Sequence, residues 1–181
     1  MEGIDGLRCD SPTADIESHN LLFSFAASNR LELKTADISN AYFQGEVLDR
    51  VLLLKPPRTG VPDPEYEDGE TMILARVPIY GTADAGRKFW RRFNQVITDN
   101  KFRENKIAKA LYVFEVDGDI KGLMVTHVDD LCWCMKPEYE QYMDNILREF
   151  SVNNEKTSAR KFRFCGKEIV QDDDLGEERR D

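Results

Sequence analysis

Three aspartates stand where carboxylates are costly. Asp37 follows the alternating stretch Leu31-Glu32-Leu33-Lys34-Thr35-Ala36. Asp129-Asp130 forms a tight turn between two apolar runs, Gly122-Leu123-Met124-Val125 and Leu131-Cys132-Trp133-Cys134. Adjacent acids repel, and each loses hydration beside such neighbours. A divalent cation removes that penalty. Mg²⁺ (or Mn²⁺) is a hard ion that takes carboxylate oxygens and leaves its other positions to water and substrate phosphate. If the strand ending at Asp37 lies beside the Asp129-Asp130 hairpin, three carboxylates share one sheet edge. Two ions held there could activate a 3′-hydroxyl and stabilise a leaving pyrophosphate. The competing reading is an exposed hairpin turn, where Asp is common. Val116-Asp117-Gly118-Asp119 gives an internal control: it also carries two acids, but Gly supplies the turn geometry and the flanks are polar.

The elements that must position these residues follow from periodicity. Asp15 or Ser18 caps a helix that carries Leu21, Leu22, Phe25 and Ala26 and stops near Asn29. The Leu31–Ala36 alternation reads as a half-buried strand. Val51–Leu54 is a short strand halted by Pro56-Pro57, followed by a loop from Arg58 to Glu70 and a strand over Met72–Val77. Asp84–Asn100 is the longest helix, with Phe89, Phe93, Val96 and Ile97 on one face and Arg87, Lys88, Arg91 and Arg92 around the other. Leu111–Val116 and Gly122–Val128 pair through Asp117-Gly118, and Leu131–Cys134 follows. Pro137 opens a helix reaching Phe150, and Lys161–Val170 alternates as a last strand. The order is α+β: antiparallel strands in hairpins with helices packed on one face.

The chain has 181 residues, 41% of them hydrophobic and 33% charged, with a mean hydropathy of −0.54. That composition suits a domain of ordinary size with a real core. No apolar stretch is long enough for a membrane span, and the start lacks the basic and apolar regions of a signal peptide. An intracellular location, cytoplasmic or nuclear and not secreted, is therefore expected. Four cysteines without a spaced framework and two histidines argue against a disulfide scaffold and a zinc finger. Cys132 and Cys134 share one face of their strand, where core packing accounts for them.

The net charge of −9 is unevenly spread. Residues 63–70 contribute −5 and residues 171–181 contribute −4, so the remaining 162 sum to zero. Residues 87–109 hold eight bases against two acids, a local +6. Such a stripe can bind a polyanion, and it can equally be a solvated helix face.

Four blocks then resemble a known family. Leu33–Glu46 (LKTADISNAYFQGE), Tyr80–Trp90 (YGTADAGRKFW), His127–Leu131 (HVDDL) and Phe162–Ile169 (FRFCGKEI) occur in the order of copia-type LTR-retrotransposon reverse transcriptases. That family shows forms such as DVKTAFLNGE, YGLKQAPRAW, YVDDL and FLGIEI. Lys55-Pro56-Pro57 resembles its QPPG stretch, and Ala110-Leu111-Tyr112 its D-P-S-L-Y. The resemblance runs from about Ser11 to the tail.

The resemblance implies the palm of a right-hand polymerase, with partial fingers and no thumb, over residues 11–170. Residues 1–10 would be a disordered start and 171–181 an acidic tail. It implies RNA-directed DNA synthesis by two-metal nucleotidyl transfer, with two Mg²⁺ or Mn²⁺ ions on Asp37, Asp129, Asp130 and the carbonyl of Ile38. Tyr42 would fall on the aromatic gate that selects dNTPs, with Asp84 and Arg87 near the triphosphate. Arg87, Lys88, Arg91 and Arg92 would contact nucleic acid. His127 would lie by the primer sugar, and Cys165-Gly166 on the turn that grips the primer 3′ end. The partners implied are an RNA or DNA template with its primer, dNTPs, and the protease, integrase and RNase H parts of a Pol polyprotein.

The chain departs from the pattern in two places. His127 replaces the family's Tyr, and Thr82-Ala83-Asp84-Ala85-Gly86-Arg87 replaces Leu-Lys-Gln-Ala-Pro-Arg. Asp84 reads best as a helix N-cap. The chain also begins after the family's basic fingers strands and ends before its thumb, so this polypeptide alone is expected to polymerise poorly. The rival reading is an inactive or repurposed palm that binds nucleic acid through its basic helix.

Overall fold

A computed structural model describes residues 12–57, 71–153 and 161–172. The Arg58–Glu70 loop, the start through residue 11 and most of the acidic tail lie outside the described residues. Two compact units divide the chain, one of Tyr42–Arg92 and another of Ser11–Ala41 with Phe93–Asp181.

The second unit is built on a five-stranded antiparallel sheet. Its strands are β1 (Lys34–Asp37), β4 (Phe102–Glu104), β5 (Leu111–Val116), β6 (Asp119–His127) and β7 (Asp130–Met135), in the order β1-β7-β6-β5-β4. Helix α1 (Ile16–Asn29) starts where expected: Asp15 accepts the Ser18 N–H at 2.9 Å. It ends at Arg30, whose left-handed backbone (φ 53°) lets its N–H reach Ala26 and Ala27 carbonyls.

Strand alternation explains the core. Leu111 and Val113 of β5, Leu123 and Val125 of β6, and Cys132 and Cys134 of β7 pack with Leu22 and Ala26 of α1. The intervening residues point the other way. Tyr112 meets Phe93 of helix α2 (Ala85–Asp99), and Phe114 meets Tyr142 of helix α3 (Glu140–Arg148). Helices therefore cover both faces, which corrects the one-face arrangement expected from element order. The sequence carries the reason: β5 opens with four consecutive buried residues, Leu111–Phe114, as a strand buried on both sides should.

Other differences are local. The segment after Met135 begins as a 3-10 turn, Pro137–Tyr139, before α3 takes over. Lys161–Val170 is a hairpin, β8 (Lys161–Phe164) and β9 (Lys167–Val170), and not one strand. Cys165 (φ 48°) and Gly166 (φ 75°) make its two-residue turn. Phe164 anchors the hairpin in the α1 core, and the Gln171 amide bonds both the N–H and the carbonyl of Leu33.

In the first unit, β2 (Leu52–Leu54) pairs with β3 (Ile73–Ala75) in a two-stranded sheet. Its outward face is apolar: Leu53 and Leu74 are direct partners, 52% and 49% exposed, flanked by exposed Val51 and Met72. Gly45 lies against the first turns of α2. A Cβ there would meet the Phe89 backbone nitrogen at 3.0 Å and Pro78 Cγ at 3.1 Å, so this approach suits glycine.

Candidate active site

The sheet brings Asp37, Asp129 and Asp130 to one end of three neighbouring strands. In the β1–β7 register Asp37 is the direct partner of Asp130, and in the β6–β7 register His127 is. Directly paired residues point to the same side of a sheet, so Asp130 has a carboxylate on one flank and an imidazole on the other. Asp129 lies in the turn before β7, and its carbonyl accepts the Ile38 N–H at 2.9 Å. The turn is thus Val128-Asp129, one residue earlier than the sequence suggested, with Asp130 already in the strand. Val128 makes it with φ 60°, a conformation unusual for a β-branched residue. Ile38 itself is buried and bridges to Val152.

Burial pushes the Asp130 carboxyl above the ordinary carboxylate range, and the charges of Asp129 and then Asp37 add to it, against an opposing pull from His127. This is the electrostatic signature of acids gathered without a counterion. Hard oxygen donors under mutual repulsion fit a hard divalent cation. As they stand, no three His, Cys, Asp or Glu side chains among the described residues close around one point to form a metal cluster. Asp37 Oδ2 instead accepts a 2.6 Å hydrogen bond from Asn153 Nδ2.

The first unit holds Tyr42, Asp84 and the basic residues of α2 up to Arg92. Tyr42 lies in a 3-10 turn, Ala41–Gln44, with its ring 4.6 Å from that of Tyr80. Asp84 immediately precedes α2. Its carboxylate, 3% exposed, receives both Arg50 Nη2 at 2.8 Å and Arg50 Nε at 3.2 Å. The Arg50 bonds hold the Asp84 carboxyl below its usual range despite burial. Arg87 lies over the Trp90 ring at 4.3 Å. Lys88 pairs with Asp49 at 3.2 Å, Arg91 with Glu46 at 3.9 Å, and Arg92 donates to the Gln44 carbonyl at 2.6 Å. Lys88, Arg91 and Arg92 are therefore met by acids and a carbonyl of their own unit.

The model of the family described as reverse transcriptase (RNA-dependent DNA polymerase) matches residues 1–175. The chain belongs to that family. It is the reverse transcriptase family typical of copia-type elements. No curated protein and no solved structure matches the chain.

Within this reverse transcriptase domain, Cys165-Gly166 occupies the β8–β9 turn, and its neighbour Lys167 reaches back to α1. Lys167 Nζ lies 3.2 Å from Nδ1 of His19, whose ring is 5% exposed and packs edge-on against Phe164. Burial, helped by Lys167 and His127 and opposed by Asp15, lowers the His19 pKa. Cys132 and Cys134 are buried free thiols, with the pKa of Cys134 pushed up to about 12 by desolvation. Such thiols are inert, as core residues should be.

Sequence reasoning missed Arg50 and Asn153. Each acts on an acid it had singled out, across 34 and 116 residues respectively, and neither separation leaves a local signature. No helix among the described residues is long and apolar enough to cross a membrane.

Proposed function

We propose that this reverse transcriptase domain serves RNA-directed DNA synthesis in a copia-type element, as the palm and partial fingers of a Pol polyprotein. The observation that carries the reading is the pairing of Asp37 with Asp130 beside Asp129, three mutually repelling carboxylates at one sheet end in a chain of this family. In this reading Asp37, Asp129, Asp130 and the Ile38 carbonyl hold two Mg²⁺ or Mn²⁺ ions. When bound, such ions lower the pKa of a primer 3′-hydroxyl and neutralise charge on the leaving pyrophosphate. The chain's own residues orient the partners. Tyr42 gates the dNTP sugar, Arg87 serves the triphosphate, and His127 stacks on the primer sugar; Asp84, buried against Arg50, serves the helix start instead. The Cys165-Gly166 turn contacts the primer end, while Arg87, Lys88, Arg91 and Arg92 meet phosphates of template and primer. The rival reading, binding through the same basic helix without catalysis, gives the gathered aspartates no role.

A cation titration followed by thermal shift tests the site directly. Mg²⁺ or Mn²⁺ should raise the Tm of the wild type. The Asp129→Asn/Asp130→Asn variant should melt higher than wild type without cation and gain nothing from it. If neither protein responds and the variant melts no higher, the aspartates are only a turn. Primer extension, assayed with the family's fingers strands and thumb supplied, should then follow the same division, with incorporation lost in Asp129→Asn.

A further inference from the structure

One side chain governs the Asp37 carboxylate. Asn153 donates from Nδ2 to Asp37 Oδ2 at 2.6 Å, and its own Oδ1 accepts from the Ser39 hydroxyl. The amide orientation is dictated by the carboxylate, since the reverse would set oxygen against oxygen. An ionised carboxylate offers about four lone-pair sites, and the amide uses one. That bond alone does not exhaust the carboxylate's capacity for a cation.

The backbone around this contact is fixed separately. Asn153 N–H donates to the Asp37 carbonyl at 2.8 Å, and Ser39 N–H to that of Ser151 at 2.8 Å, so residues 151–153 run antiparallel to the end of β1. That pairing needs no side chain. The Asn153 amide is therefore free to do something the fold does not require, which is to select one orientation of the Asp37 carboxylate. A hydrogen bond from outside the coordination shell is how ligating carboxylates are commonly oriented, and its loss weakens metal binding by about 10–100-fold.

We propose that Asn153 is a positioning residue for the divalent cation, acting through Asp37 and steadied by Ser39. The inference rests on the reading of Asp37, Asp129 and Asp130 as cation ligands. It is tested by calorimetric titration of the full chain with MnCl₂, comparing wild type, Asn153→Ala, Ser39→Ala and Asp129→Asn/Asp130→Asn. Asn153→Ala should bind Mn²⁺ about tenfold more weakly. Its cation-free Tm should stay within about 2 °C of wild type, because the residue is exposed and the backbone pairing persists. Ser39→Ala should shift affinity the same way by less. Unchanged or tighter Mn²⁺ binding in Asn153→Ala, with binding abolished in the double aspartate variant, overturns the positioning role and leaves the site reading intact. A wild type that takes up no Mn²⁺ overturns both.

Discussion

A carboxylate with 3% of its side chain exposed is costly unless a cation meets it, and at Asp84 the cation is Arg50. The fork of two hydrogen bonds fixes the start of α2 to the segment before β2. Truncating Arg50 strands that charge. Arg50→Ala should therefore destabilise the domain by about 2 kcal/mol, below the range for a fully buried pair because Arg50 is partly exposed. Arg50→Ala/Asp84→Ala should recover part of the loss, and urea denaturation of both variants and the wild type would measure it. Equal destabilisation in the single and double variants would show that a stranded Asp84 charge is not the cause. The sequence made Asp84 conspicuous as an acid before a helix, and placed it correctly there. It could not name Arg50, because an ion pair 34 residues apart has no periodicity to betray it. The catalytic candidates differ. Asp37, Asp129 and Asp130 were legible because each interrupts or ends an apolar stretch, and a mismatch of that kind is visible locally.

At the scale of elements, the β8–β9 hairpin docks on α1 through Phe164 and the Lys167–His19 contact. Protonating His19 would set an imidazolium beside an ammonium. Its lowered pKa means that the unfolded chain binds this proton more readily than the folded one. Stability is thus present above the ordinary histidine value of about 6.5 and lost as pH falls through it toward the lower folded value. Thermal melts between pH 7 and 5 should show a steeper decline for wild type than for His19→Gln, which keeps an acceptor for Lys167. Parallel declines would remove His19 as the cause. The strands with clear alternation or apolar runs, β5, β6 and β7, were readable with small boundary errors. β4 was not, since only Phe102 of its three residues is buried and no pattern can form. Periodicity did not show the β8–β9 turn, because the alternation runs on through Cys165-Gly166; only the family resemblance set a turn there.

Across the molecule, charge and apolar surface are distributed differently in the two units. The sheet of the second unit has its core covered on both faces, a feature the order of elements could not convey. Its outer strands are short and charged: β1 ends in Lys34 and Asp37, and β4 carries Arg103 and Glu104. Such margins discourage strands of another molecule from joining. The β2–β3 ribbon of the first unit has no comparable protection on its outward face, where Leu53 and Leu74 meet side by side. A small ribbon of exposed aliphatic residues is where copies of the chain should first adhere. Leu53→Lys should lower light scattering on concentration while leaving the Mn²⁺ titration unchanged; equal scattering would locate the adhesive surface elsewhere. The practical consequence concerns handling in vitro: the weak point for keeping this domain in solution belongs to a different sheet from the aspartates, so colloidal behaviour can be engineered without altering the acids.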